Sequence, residues 1–332
     1  MLLIQKSWPV FIYAITISAE SIIIEFLTLS LQLPPILLSA TSITVGGLML
    51  LLVRFFLLQR EKKVAIRREV VIFSQSTKNL ILTSLSLAVG VFSWYDSIGR
   101  VGASKEIILA GPLEVVLIVI LARIILKEKL DKIYVTGCTV AITGFFMAIL
   151  SNMSSIDTLQ NPTSAILSLG DIEAIISAFG FAIAVLFLTK LVSVHSSIEV
   201  AGAALFLAGL IIFGFLILFY FYEIVGSISE LSTSEIAKTL GILILFSVLP
   251  FIGALSYAVG LSKIGAALTG TIGASSILIT LAAQILLREY GLMSSYLPEN
   301  IILAILGAIL GFMGILIVHM HDYYFSTIDK KS

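Results

Sequence analysis

The sequence predicts an all-α membrane protein with ten transmembrane helices in two five-helix inverted repeats, residues 1–150 and 151–332, and with both termini cytoplasmic. Three observations predict it. The 332 residues are 59% hydrophobic and only 12% charged, with a mean hydropathy of +1.13. A soluble domain carries roughly 25% charged residues, and no single globular core has room for this much apolar surface. The basic residues collect on alternate connections between apolar runs, and a stretch near the middle of the chain recurs in worn form half a chain later.

Backbone in lipid must satisfy its own hydrogen bonds, so each long apolar run reads as a helix. Helix one covers residues 8 to about 30 and carries Glu20 and Glu25 inside it. Its apolar start leads into a Glu rather than a small-residue cleavage site, so it reads as a span and not as a signal peptide. Pro34 and Pro35 separate it from helix two, since proline suits a helix start and not a helix interior. Charge-free runs then supply helices two (26–53), three (79–95), five (133–156), six (174–189), seven (200–222), eight (239–262), nine (264–287) and ten (300–318). Helix four (104–126) contains Lys105, Glu106, Glu114 and Arg123.

With ten spans, fourteen Lys and Arg residues fall on one side, among them Lys6, the cluster in loop 60–78, Lys127, Lys129 and Lys132. Only Arg100, Lys105, Lys238 and Arg288 fall on the other. The positive-inside rule then places both termini in the cytoplasm. The long basic loop reads as this topology signal, with contact to anionic headgroups as the alternative. Asn152 begins a formal glycosylation sequon on the outer side.

The repeated stretch is 102–131, GASKEIILAGPLEVVLIVILARIILKEKLD, matched by GAALTGTIGASSILITLAAQILLREYG from Gly265. Both start Gly-Ala, pass a small or broken centre, and close on a basic-acidic pair, Lys127 with Glu128 and Arg288 with Glu289. The repeat pairs helix four with helix nine. Helix five then carries Gly137 and Gly144, and helix ten carries Gly307 and Gly314 at the same spacing. Five helices per half invert the second half relative to the first, a recurring design of transporters with a site at the repeat interface.

Ten spans, two inverted halves, the Gly-Ala start of helix four, Pro112 at its centre, Glu128 at its end and a Gly-spaced fifth helix together resemble the EamA-type drug/metabolite transporters. The resemblance runs from about Trp8 to Val318. It implies a plasma-membrane permease for small organic solutes, metabolites or amphipathic drugs, with a central cavity lined mainly by helices one, three, four, six, eight and nine. Ser275 stands where the repeat places the counterpart of Pro112, which predicts a softer break in helix nine.

The candidate site residues are the polar groups at membrane depth, where a charge costs about 2.5–3.5 kcal/mol and faces a cavity or a partner. Glu20 lies on one face with Tyr13 and Thr16, and Glu25 on another with Ser18, Ser21 and Thr28. Ala19-Glu20 is similar to the Ala-Glu of the small multidrug resistance transporters, a resemblance that implies exchange of protons against a cationic substrate. The alternative for both Glu residues is a bond to a neighbouring helix. Glu114, two residues past Pro112, is read as a cavity residue or as one side of an ion pair with Lys105 or Arg54. Lys105 and Glu106 read as solvated mouth residues. Trp94, Tyr95 and Asp96 form either an interfacial aromatic belt with a solvated Asp or the wall of a pocket, and Tyr257 is the repeat-related aromatic. Ser275, Ser276 and Gln284 offer neutral hydrogen bonds to a substrate, and Glu128 and Glu289 read as structural anchors.

The expected partners are a small-molecule substrate and membrane lipid, with proton coupling and a homodimer left open. Nothing indicates nucleic acid or a cofactor. The lone Cys138 allows no intrachain disulfide, and no span holds a metal or nucleophile cluster, so a membrane-embedded enzyme is the remote alternative. With no Walker motif, transport would be secondary.

Overall fold

The computed structural model describes residues 2–61, 75–121, 124, 132–151, 168–192, 194–220, 232–291 and 298–328. Arg123, Lys127, Glu128, Asn152 and most of the loop 60–78 lie outside the described residues. The described chain forms eleven helices: α1 (Leu2–Ser30), α2 (Pro35–Glu61), α3 (Gln75–Val101), α4 (Ala103–Leu121), α5 (Lys132–Leu150), α6 (Leu169–Val192), α7 (Ser197–Phe219), α8 (Thr233–Phe246), α9 (Val248–Gly273), α10 (Ser276–Glu289) and α11 (Ile301–Ile328). No strand occurs among the described residues.

Seven stretches are long and apolar enough to cross a membrane: Ser7–Ser30, Pro35–Gln59, Ser76–Val101, Leu169–Val192, Ser197–Phe219, Ser234–Ile264 and Ile301–Val318. The surface is apolar in keeping with this. Leu218 is 77% exposed and Ile302 74%, which in water would be an aggregating patch. The chain is a helical integral membrane protein. The other predicted spans fall short for visible reasons. Helix α4 carries Lys105, Glu106 and Glu114, Val135–Leu150 of α5 is short, and the segment predicted as helix nine is divided.

Local chemistry sets the boundaries. Helix α2 starts on Pro35, and the Pro34 carbonyl accepts the N–H groups of Leu37 and Leu38 at 3.0 and 3.1 Å. Only Gly102 separates α3 from α4. Its φ of 84° is left-handed and favours glycine. Predicted helix eight is divided at Ser247, because Pro250 in the first turn of α9 lacks the N–H that the Phe246 carbonyl would accept. Helix α9 then runs through the predicted boundary near Lys263. A Cβ on Gly260 would nonetheless sit 3.2 Å from Thr269 Cγ2, whereas nine residues of straight helix span about 13.5 Å. The chain therefore reverses between these two residues inside a helically wound turn.

The break in predicted helix nine is harder than its counterpart, contrary to the sequence expectation. Helix α4 continues through Pro112, whose ring packs on α11 where a Gly311 Cβ would come within 2.6 Å. At Ser275 the helix stops: the hydroxyl donates to the Ile272 carbonyl at 2.6 Å and Ser275 N–H bonds the same oxygen at 3.0 Å. A hydroxyl competing for a helix carbonyl weakens the ladder at that turn.

The most extensive pairings join α1 with α9, α2 with α7, α3 with α6 and α5 with α11, while α4 packs on α6, α5 and α10. Small residues carry the closest approaches, as in membrane bundles generally. Gly90 meets Gly180 between α3 and α6, and Gly137 and Gly144 of α5 face Gly307, Gly311 and Gly314 of α11. Inward hydroxyls bond their own helices. Thr28, Thr41, Thr44 and Ser84 each donate to the carbonyl four residues back, which satisfies them without water.

Candidate functional site: a buried carboxylate and tyrosine cluster

Tyr13 and Glu20 lie two turns apart on one face of α1. Tyr95 of α3 donates its hydroxyl to Glu20 Oε1 at 2.6 Å, and Ser42 Oγ of α2 lies 3.0 Å from the same phenol oxygen. Glu20 and Tyr95 are completely enclosed. Tyr257 of α9 meets Tyr13 with ring centroids 5.0 Å apart and planes tilted by 49°. Glycines make the slot for Tyr13: a Cβ on Gly273 would come within 2.9 Å of its ring, and one on Gly253 would touch it at 4.0 Å.

Glu114 of α4 lies within electrostatic reach of Tyr13, Tyr257 and Glu106. Tyr13, Glu114 and Tyr257 are each half-buried. Among the described residues Glu114 makes no hydrogen bond and no ion pair. The two cations considered for it are engaged elsewhere, Lys105 with Asp171 at 2.6 Å and Arg54 with Glu199 at 3.5 Å.

Glu25 points away from this cluster. Its Oε2 accepts the backbone N–H of Ala103 at 2.7 Å and the side-chain amide of Gln284. Gln284 Oε1 in turn accepts Ser104 N–H at 2.9 Å and the Ser104 hydroxyl. A carboxylate at the first N–H groups of a helix satisfies donors that no carbonyl reaches and complements the helix dipole. Glu25 and Gln284 thereby tie α1 and α10 to the start of α4. Ser276, about two helical turns before Gln284, accepts Ser18 Oγ on its carbonyl at 3.2 Å, and Thr280 between them is fully buried with no partner for its hydroxyl among the described residues.

Lys105 and Glu106 are not solvated mouth residues. Glu106 is 1% exposed, accepts the Ser177 hydroxyl at 3.3 Å and receives a side-chain hydrogen bond from Trp94. Lys105 is half-buried and paired with Asp171 at 2.6 Å, which also closes the first turn of α6 by accepting Ser168 N–H and Oγ at 2.8 and 2.9 Å. Trp94 and Tyr95 are core residues rather than a belt. Trp94 packs edge-on against Phe181 and Tyr95 against Phe246. Asp96 is bridged by Arg100 at 2.9 Å, and Arg100 reaches Glu173 of α6 at 3.0 Å.

Of the residues singled out in the sequence, the structure gathers Glu20, Tyr95, Glu114 and Tyr257. It directs Glu25 and Gln284 to helix capping, Asp96 to an ion-pair cluster, and Pro112 and Ser275 to packing and helix termination. Reasoning from sequence missed Tyr13, Ser42 and Glu106 as site residues. For Tyr13 a signal existed, since it stands seven residues before Glu20 on the same helix face. For Glu106 the signal was its charge within a span.

Comparison with known proteins agrees with this architecture. Residues 7–150 match the model of the EamA-like transporter family. A protein solved by crystallography is similar over 93% of this chain and 96% of its own, at a TM-score of 0.58 and 15% sequence identity. That likeness concerns the fold alone, and it extends through both halves. No curated protein matches. Over residues 7–150, where the matched segment, the spans and the buried carboxylates coincide, the chain is thus similar to the EamA-like transporter family.

Proposed function

We propose that the protein is a secondary transporter of small organic solutes that works by alternating access around a site at Tyr13, Glu114 and Tyr257. The observation that carries this reading is the contact of Tyr13 with Tyr257, ring centroids 5.0 Å apart, which brings a residue of the first half against one of the second within electrostatic reach of Glu114. Adding α4, α5 and the α9–α10 segment to the seven apolar stretches makes ten spans, with both termini cytoplasmic in the plasma membrane. The pairing pattern supports two inverted five-helix repeats. Exchanging each predicted helix for the one five further on leaves the pairs two–seven, five–ten, one–eight and three–six unchanged. Rocking of two such halves about a fixed site is the general transporter scheme.

The test is uptake into proteoliposomes from a broad panel of metabolites and cations. Glu114→Gln should lower the initial rate for the transported solute by about tenfold or more while its melting temperature stays near that of wild type. If no solute moves and none raises thermal stability, the reading fails.

Proton coupling is a second reading, favoured by the hydrogen-bonded chain Glu20, Tyr95 and Ser42 across α1, α3 and α2. Glu20→Gln is then expected to flatten the pH dependence of uptake. A pH profile identical to wild type removes Glu20 as the proton carrier.

A further inference from the structure

We propose that the structure holds the protein closed at the end of the bundle that carries Ser30 and Gly102, and that the seam between the second half of α1 and the end of α3 is the closure that parts when the protein opens to that side. The proposal rests on the transport reading for its notion of a cycle, and the topology given there makes this the outer end. The seam itself stands on contacts within the bundle and on a difference between the two halves of the chain.

The second half of α1 meets α3 at successive levels. Glu20 accepts the Tyr95 hydroxyl at 2.6 Å. Ile24 and Leu27 lie in one core cluster with Trp94 and Ile98. A Cβ on Gly99 would sit 3.7 Å from Thr28 Cβ and 3.3 Å from Pro35 Cγ. Glu25, between these levels, reaches the Ala103 N–H at the start of α4 at 2.7 Å. All of these contacts are made by side chains. The pairing of α3 with α6 is of another kind, since a Cβ on Gly180 would meet the Gly90 Cα and N at 2.6 Å, backbone against backbone. Interhelical hydrogen bonds in a membrane are individually weak, whereas close backbone approach holds helices together. The α1–α3 seam is therefore the one suited to part, and the α3–α6 pair the one suited to stay.

The inverted halves show which end is closed. Exchanging each predicted helix for the one five further on turns the α1–α3 seam into a contact of α6 with α9 at the opposite end of the bundle. Among the described residues no pairing of comparable extent joins α6 to α9, nor α6 to α10 as α1 is joined to α4. The same difference appears in a single pair of residues. Tyr95 binds α1 through Glu20, while Tyr257, its repeat counterpart, lays its ring on Tyr13 of α1. When two inverted halves rock about a fixed site, a closure made at one end and unmade at the other identifies the conformer.

The test is a reversible lock. In a Cys138→Ser background, which removes the lone cysteine, Thr28→Cys with Gly99→Cys places one thiol on each side of the seam. The 3.7 Å between the two Cβ positions fits the roughly 3.5–4.5 Å of a disulfide. Mild oxidation in proteoliposomes should close the pair in nearly all molecules. Uptake of any solute the reduced protein carries should then fall about tenfold or more and recover on reduction. Thiols that stay free under oxidant, or an oxidised protein that keeps about half or more of the reduced rate, would overturn the proposal. Hydrogen exchange over residues 20–30 and 95–104 reads the same seam without flux. It should slow by about threefold or more on oxidation. In Tyr95→Phe, which keeps the ring and loses the bond to Glu20, it should quicken by about threefold or more. Unchanged exchange in Tyr95→Phe sinks the closure even where the double variant does not fold. If no solute moves through the reduced protein while exchange responds as expected, the transport reading fails and the closure stands. If uptake is found and survives the lock, transport stands and the closure fails.

Discussion

Gly144→Leu should yield no folded protein, and Gly144→Ala should already lose about 2–3 kcal/mol of stability. At this position the obstacle is backbone. A Cβ would collide with the Gly311 N–H, the Gly307 carbonyl at 2.6 Å and the Gly311 Cα at 2.9 Å. No side-chain rotation relieves such contacts, so α5 and α11 must separate and the Gly137–Gly314 contact must open with them. Helix association in lipid has no water-driven term to fall back on and depends on this close approach. Gly214→Ala and Gly241→Ala are the controls, because a Cβ at either position meets nothing within 4 Å. They should be neutral or slightly stabilising, as expected from helix propensity. Unfolding curves in detergent read the contrast, and equal effects at Gly144 and Gly214 would show that the α5–α11 seam does not hold the bundle.

Glu25→Ala should cost about 2–6 kcal/mol. The carboxylate accepts the Ala103 N–H and the Gln284 amide deep in the bundle, and a buried donor left unmade costs about 1–3 kcal/mol each. Glu25→Gln retains one acceptor and should cost less. Because Gln284 also holds Ser104, the effects of Glu25→Ala and Gln284→Ala should not add. A double-mutant cycle is expected to return a coupling of about 1 kcal/mol or more, and additive losses would deny the shared network. The same cycle separates this capping role from a role in solute recognition, because uptake by the surviving folded fraction should be little changed.

Much of the fold was legible because a membrane imposes length and polarity on every span. Apolar runs located α1, α2, α3, α6, α7 and α11, and Pro34 and Pro35 marked the first turn correctly. The Gly137/Gly144 and Gly307/Gly314 spacings turned out to be the two faces of one contact. Intramembrane charge led to Glu20 and Glu114. What escaped sequence reasoning depended on partners distant in the chain. Glu106 looked like a mouth residue because Ser177, its donor, lies 71 residues away. Lys105 looked solvated because Asp171 comes from another helix. Glu25 resembled Glu20 until the start of α4 came to rest on it. Ser275 looked milder than Pro112 because its effect runs through a side-chain hydrogen bond that only the folded turn reveals.

The single-residue corner at Gly102 has a mechanical consequence. Ion pairs clamp both of its arms to the first turns of α6, Arg100 to Glu173 on one side and Lys105 to Asp171 on the other. Helix α4 is thus pinned at one end, like a gate leaf on its post, and displacement grows with distance from the pin. At 1.5 Å per residue Glu106 sits about 4–5 Å along the leaf and Glu114 about 16 Å. A tilt of about 10° sweeps Glu114 through about 3 Å but shifts Glu106 by less than about 1 Å. Of the two carboxylates on this helix, one stays with the post while the other travels.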